Sequence, residues 1–244
     1  MTGAEAGFLL LSCRLGNPER KVLTTAQLRT LSQRMKNAPV DDPDRELEQG
    51  DLVRLGYSRD MAERIVSLLD EEELLLRYLR RARQAGCVPV PRNSPLYPGI
   101  LRERLGDDAP GCIWAKGDLE ILRNPMISLV GSRDLNPENE AFAREAGRQA
   151  ALQGLTLVSG NARGSDRTAQ EACLEAGGTV VSIVADSLEK HLPKENVLYL
   201  SEENFDEEFS AQRALSRNRC IHALGEKVLV AQAGYQHGGT WDGT

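Results

Sequence analysis

From Gly86 onward the chain repeats one pattern: a short apolar run closed by Gly or Ser, then a helix-like stretch, then another apolar run. The runs are PMISLVGSR (125–133), LTLVSG (155–160), TVVSIVA (179–185), VLYLSE (197–202) and KVLVAQAG (227–234). Strands that are apolar throughout, rather than alternating, must be covered on both faces. Helices between them supply that cover and force a mostly parallel, doubly wound α/β sheet with right-handed crossovers. CVPVP (87–91) reads as a short edge strand, because its prolines cannot donate to a ladder, and GCIWAKG (111–117) as a further short strand. In such sheets ligands bind at the carboxyl ends of the strands, where the strand order switches.

The first 86 residues read differently. Thr25 can cap a helix in which Leu28, Leu31 and Met35 share a face, and NAPVDDPD (37–44) breaks it. Ser58 caps a second helix with Met61, Ile65, Leu68 and Leu69 as its stripe. EEELLLRYLRRARQAG (71–86) carries acids in its first turn, arginines in its last and Gly86 as a stop, complementing the helix dipole at both ends. Residues 1–86 are thus expected to form a small helical domain and 87–244 the α/β domain.

Composition narrows the classes. Hydrophobic residues at 41% and charged residues at 27% describe a globular chain, and no run reaches the roughly 20 apolar residues of a membrane span. FLLLSC (8–13) resembles the end of a lipoprotein signal, but Glu5 precedes it, no positive charge does, and the run is too short for a signal core; a buried helix turn or strand is expected instead. The five cysteines lack CxxC or Cys/His spacing, so reduced thiols in a cytoplasm and no zinc site are expected. A net charge of −6 repels polyanions, so a nucleic-acid partner would need a local basic groove.

Four motifs fall at strand ends. In VGSR, Gly131 allows close backbone approach, Ser132 can donate to a phosphate and Arg133 adds a cation. In SGNARGSD, Ser159 and Gly160 end a strand, Arg163 stands beside the turn, Gly164 makes it, and Ser165 or Asp166 caps the following helix. LSRNRCIHALG (215–225) with Arg213 gathers Arg213, Arg217 and Arg219, either as a solvated face or as a groove wall. HGGTWDGT (237–244) offers Gly238, Gly239 and Thr240 for close phosphate approach, or is a flexible segment. GxGxxG, Walker, HExxH and GxSxG motifs are absent, the three histidines are too dispersed for a metal cluster, and no nucleophile stands with a base; Glu202 reads as a helix-cap acid before a general base. No catalytic residue and no cofactor are therefore expected.

In order, YPGIL, IWAKG, SLVGSR, SGNARGSD with EACLEAGGTVVSIVA, LSEE, SRNRCIHALGEKVLVAQA and GGT resemble the DprA/Smf (DNA processing) family, whose Rossmann-like core belongs to the SLOG superfamily. The resemblance covers roughly residues 87–244. It implies a Rossmann-like sheet preceded by a small SAM-like or helix-hairpin-helix domain. It implies a sequence-tolerant single-stranded DNA binder, not an enzyme, that acts in natural transformation, hands strands to the RecA recombinase and forms a homodimer. By motif, Gly131, Ser132 and Arg133 would take a phosphate; Ser159, Gly160, Arg163, Gly164 and Asp166 would shape the adjoining pocket; Arg217, Asn218 and Arg219 would support or line the groove. Arginines and turn amides would then neutralise backbone phosphates without reading bases. Departures from the family pattern are Ser165 for an isoleucine, Gln170 for a histidine, Gln232 for an acid, and LPKEN (192–196) running into LSEE without the usual helix between them. The competing reading is a SLOG domain for nucleotides, either a sensor of a nucleotide-derived signal, with phage defence as one setting, or an N-glycosidase like the LOG phosphoribohydrolases.

Overall fold

A computed structural model describes residues 1–37, 46–234 and 240. The chain divides into two compact units, Met1–Arg81 and Ala82–Thr244.

Local signals set the helices of the first unit: α1 (Gly3–Ser12), α2 (Thr25–Lys36), α3 (Gln49–Arg54), α4 (Arg59–Leu69) and α5 (Glu72–Gln84), whose last turn lies in the second unit. The apolar run at FLLLSC is the buried end of α1, which opens on a reciprocal capping box between Thr2 and Glu5. Thr24, not Thr25, caps α2: its hydroxyl accepts from the Gln27 amide at 3.3 Å while Gln27 returns a bond to the Thr24 amide at 2.9 Å. Leu31 is buried, but Met35, in the last turn, stays in solvent. Most of the expected break at 37–44 lies outside the described residues. Ser58 caps α4 by accepting from the Met61 amide at 3.3 Å. Leu11, Leu23, Leu31, Leu52, Ala62, Ile65 and Leu68 form this unit's core. Buried Arg20 ties its segments together, donating to the Cys13 carbonyl at 2.6 Å and the Leu68 carbonyl at 3.3 Å and pairing with Glu71 at 2.5 Å.

The second unit carries the sheet: β1 (Val88–Pro91), β2 (Cys112–Lys116), β3 (Met126–Val130), β4 (Thr156–Ser159), β5 (Val180–Ile183), β6 (Val197–Ser201) and β7 (Val228–Val230), in the order β1-β2-β6-β5-β4-β3-β7. The five strands from β6 to β7 are parallel, while β1 and β2 pair antiparallel at one side, with the proline-bearing β1 at the edge. This is the doubly wound, mostly parallel sheet expected from the apolar runs. The covering helices are α6 (Gly99–Leu105), α7 (Pro137–Leu152), α8 (Ser165–Glu175), α9 (Ala211–Ser216) and α10 (Asn218–Leu224). Asn136 caps α7 with Pro137 in its first turn. Val130, Val158, Val181, Ile183, Leu198 and Leu200 share a core with Ile221 and Leu224 of α10. On the other face Gln170 of α8 donates to Ser159 Oγ at 2.6 Å and Ser182 Oγ at 3.4 Å. The β5-to-β6 connection holds only a 3-10 turn, Leu188–Lys190, in keeping with a chain that runs from LPKEN straight into LSEE. No helix among the described residues is long and apolar enough to cross a membrane.

Ser58→Ala should cost about 1 kcal/mol in urea denaturation, the usual loss for an N-cap hydroxyl. All five cysteines are free and buried, and burial pushes Cys87 and Cys173 up from 9.0 to about 11. Between pH 9 and 11 the folded chain therefore holds protons that the unfolded chain releases, so stability should fall with rising pH across that window. Disulfide-exchange reagents at pH 8 should find no reactive thiol until denaturant is added.

Candidate nucleic-acid interface

The chain steps from β3 through β4 and β5 to β6 in one direction, then returns to set β7 on the other side of β3. That reversal opens a crevice at the carboxyl ends of β3 and β7. The loop after β3 (Gly131–Leu135), the loop after β4 (Gly160–Gly164), the residues after β7 and the α9–α10 junction surround it.

The first two loops are locked backbone to backbone. Ser165 donates to the Ser132 carbonyl twice, from its amide at 3.1 Å and its hydroxyl at 3.0 Å. Gly164 sits at φ +82°, and a Cβ there would lie 2.5 Å from the carbonyl oxygens of both Ser132 and Arg133. Ser165, which replaces an isoleucine of the family pattern, is thus a clamp between the loops. The Ser132 hydroxyl donates to the Asp134 carbonyl at 3.0 Å, so it shapes its own loop. Gln232, after β7, donates to the same carbonyl at 3.0 Å and accepts from the Asn136 amide and Asn139 Nδ2, both at 3.1 Å. An acid at that position could accept these two bonds but could not make the donation.

Beneath the loops lie two charged side chains, Asp166 and Arg217, exposed by only 6% and 5%. The cap of α8 is Gly164, with no side-chain bond; Asp166 turns away from its helix and accepts from the amides of Gly160 at 3.1 Å and Ala162 at 3.2 Å. Asn161, at φ +58°, carries the backbone between those amides. Arg217 donates from Nη1 to the Ile183 carbonyl at 2.7 Å, while its Nε has no hydrogen-bond partner among the described residues. Gly160 makes room for it, since a Cβ there would fall 1.4 Å from Nη1. Burial pushes the Asp166 carboxyl up and the Arg217 guanidinium down, and each charge opposes the other's shift.

Two cavities meet at this point. One, about 580 Å³, is lined by Gly131, Ser132, Asp166, Asn218, Gln232 and Thr240, among others. The second, about 450 Å³, is lined by Gly160, Arg163, Arg167, Asp186, His191 and Phe209, among others. Arg133, Ala162, Ala214 and Arg217 belong to both walls. Arg133 is exposed and forms no ion pair with a described residue, whereas Arg163 is paired with Asp134 at 2.5 Å.

Of the residues singled out in the sequence, Gly131, Ser132, Arg133, Gly160, Arg163, Asp166, Arg217, Asn218 and Thr240 line one cavity or both. Gly164 shapes the crevice from behind. Ser159 is fully buried and faces Gln170. Arg219 is held by Glu202 at 3.3 Å, and Arg213 by Glu203 at 2.7 Å and Glu207 at 2.6 Å, so of the three clustered arginines only Arg217 reaches the cavities. Glu202 is an ion-pair acid that also accepts from the Cys220 thiol at 3.2 Å, not a helix cap. Gly238 and Gly239 lie outside the described residues. Gln232, Asp186 and Phe209 also line the cavities although no motif marks them as site residues; a lone glutamine, aspartate or phenylalanine carries no spacing signal. Among the described residues no group of three or more His, Cys, Asp or Glu could hold a metal ion.

Gly164→Ala should destabilise the protein by about 1–3 kcal/mol in chemical denaturation, the strain of a positive φ compounded by the carbonyl contacts.

The profile of DNA recombination-mediator protein A matches residues 90–241. DNA processing protein DprA of Streptococcus pneumoniae is 33% identical over 152 residues, 58% of this chain and 53% of that protein. Protein Smf of Escherichia coli is 29% identical over 160 residues, 61% of this chain and 42% of that protein, so the chain spans about half the length of these curated relatives. The crystal structure of S. pneumoniae DprA superposes with a TM-score of 0.67 at 24% identity, covering 100% of this chain and 83% of that one, which shows the shared fold. A Helicobacter pylori DprA structure, described for its single-stranded DNA binding mode, gives a TM-score of 0.54 at 26% identity over 64% of this chain and 74% of that one. Because the matched profile spans more than half of its residues, this chain belongs to the DNA recombination-mediator protein A family.

Proposed function

We propose that the chain binds single-stranded DNA through its sugar-phosphate backbone, without catalytic turnover, as a recombination mediator that passes strands to RecA in the cytoplasm and works as a homodimer. The observation that carries this reading is the junction of the two cavities. There Arg133, exposed and without an ion pair among the described residues, shares both cavity walls with a buried Arg217 whose Nε lacks a partner among them. A phosphate oxygen at that junction would meet the exposed guanidinium of Arg133 within the field of the buried Arg217 charge, a charge-assisted contact with no base-specific component. Because the net charge of −6 repels a polyanion, these two arginines must supply the local attraction. The H. pylori relative supports the choice of ligand.

A second reading, a nucleotide or nucleotide-derived signal held in the crevice, is favoured by one observation: a cavity of about 580 Å³ at the strand-order reversal suits a single nucleotide.

Oligo-dT binding measured across a salt series separates the two. Wild-type protein should bind, with affinity falling as salt rises, and Arg133→Ala should weaken binding and lower the slope of log K against log salt by about 0.7, the value of one single-strand phosphate contact. Thermal stabilisation by nucleoside monophosphates or ADP-ribose derivatives, with no oligo-dT affinity at low salt, would replace the first reading by the second.

A further inference from the structure

Lys116 is buried where a charge is costly. It ends β2 with 6% of its surface exposed, and among the described residues its ammonium makes one hydrogen bond, to the Leu188 carbonyl at 3.2 Å, and no ion pair. A full charge with three donors has left water for one neutral acceptor, a cost that an apolar side chain at this position would avoid. What the amine faces therefore matters.

On one side β6 sets Tyr199 opposite Lys116. On the other, β1 pairs antiparallel with β2 so that Val88 faces Ala115, and one step further along that register Cys87 faces Lys116. Directly opposite residues hold their Cβ atoms about 4.5–5.5 Å apart on one face of a sheet. The lysine does run past this point: a Cβ on Gly86 would lie 3.7 Å from Lys116 Cε. Burial raises the Cys87 pKa, and the Lys116 charge is near enough to oppose that rise. The thiol is enclosed, at 1% exposure, but thinly so, because it stands between exposed Gly86 and exposed Val88 at the outermost strand of the sheet. Pro89 and Pro91 can donate no ladder bonds there, so this edge opens locally more easily than the interior strands. Hydrogen peroxide is scarcely larger than water and needs far less room than a disulfide-exchange reagent.

We infer that Cys87 and Lys116 form an oxidative cross-link site, at which a peroxide joins sulfur to nitrogen between β1 and β2. In the first step the Cys87 sulfur gives an electron pair to one peroxide oxygen and the O–O bond breaks. The thiol proton leaves with the departing hydroxide as water, so sulfur is oxidised by two electrons to a sulfenic acid and the peroxide is reduced by two. In the second step Lys116, after its ammonium loses a proton to solvent, attacks that sulfur through nitrogen. The S–OH bond breaks, the hydroxide takes a further nitrogen proton and leaves as water, and an S–N sulfenamide bond remains. No second oxidant is consumed. Two thiols reverse the link, the first freeing the amine by attack on sulfur and the second clearing the mixed disulfide. The amine thereby diverts the sulfenic acid from the sulfinic and sulfonic states, which thiols do not reverse. The same bond ties the edge strand to its neighbour as a disulfide would.

The test treats the full folded chain with hydrogen peroxide for hours, digests it without reductant and reads the peptides by mass spectrometry. Most of the modified Cys87 should appear in a peptide pair joined to Lys116, with the mass of the two peptides less two hydrogens, and dithiothreitol should separate the pair. The cross-linked protein should unfold at a higher temperature than the untreated one and return to its starting value after reduction. Cys87→Ser should abolish the pair. Lys116→Arg, which keeps the charge without the lysine amine, should abolish it too and leave Cys87 as sulfinic or sulfonic acid. Wild-type Cys87 recovered unmodified, or recovered as sulfinic or sulfonic acid beside a free Lys116, would overturn the inference, as would a pair that forms only in denaturant. These outcomes are read on the wild type, so they decide the matter even where a variant fails to fold.

Discussion

Everything at the crevice depends on two opposite charges that have been taken out of water together. Asp166 and Arg217 come from different helical segments, and each would be costly to bury alone. Each is instead tied to backbone: the carboxylate to the Gly160 and Ala162 amides, the guanidinium to the Ile183 carbonyl. The loop after β4 is thereby pulled down onto its own helix, the α9–α10 junction is anchored to β5, and Gly160 is the point where the two meet without a side chain between them. The loop after β3 is then fastened to this platform through Ser165 and to β7 through Gln232. What remains over is a cation, Arg133, that forms no ion pair with a described acid.

The arginines therefore divide by employment. Arg213 and Arg219 commit their charge to glutamates and hold protein segments together; Arg163 shares its charge with an exposed aspartate. An exposed pair of this kind contributes little stability, so Arg163 is a weaker structural tie than Arg213 or Arg219. Arg217, by contrast, is committed at one nitrogen and open at another. A groove in an acidic protein thus needs few basic residues, provided that its acids are engaged elsewhere.

Much of this architecture is legible in the amino-acid sequence itself. Short apolar runs such as SLV and LTLV, bounded by turn residues, fit interior strands, and glycines at their ends mark where the backbone turns sharply. The caps at Ser58 and Asn136 follow local hydrogen-bond rules, and the folded chain obeys them. The misses share a cause. Whether an arginine faces a groove depends on which acids lie within reach in space, and Glu202, Glu203 and Glu207 sit on the segment after β6, invisible to the spacing within LSRNR. Asp166 occupies a position that favours capping its own helix, yet it serves the loop before it, because a left-handed Asn161 presents two amides there. Phe209 has no periodic companion, and only the shape of the cavity gives it meaning.

The position of β7 has a further consequence. It pairs Ser128 with Val228 and Leu129 with Leu229, so the strand at the centre of the crevice acquires its second neighbour from far along the chain. Contacts of such long sequence separation form late, since the loop entropy must be lost before they reward it. While the chain is being synthesised, β3 to β6 can assemble as a four-strand half-sheet with one flank of β3 open. Arg217 and Gln232 reach the glycine loops only when α10 and β7 close that flank, so a truncated or stalled chain would carry those loops without the contacts that fix them.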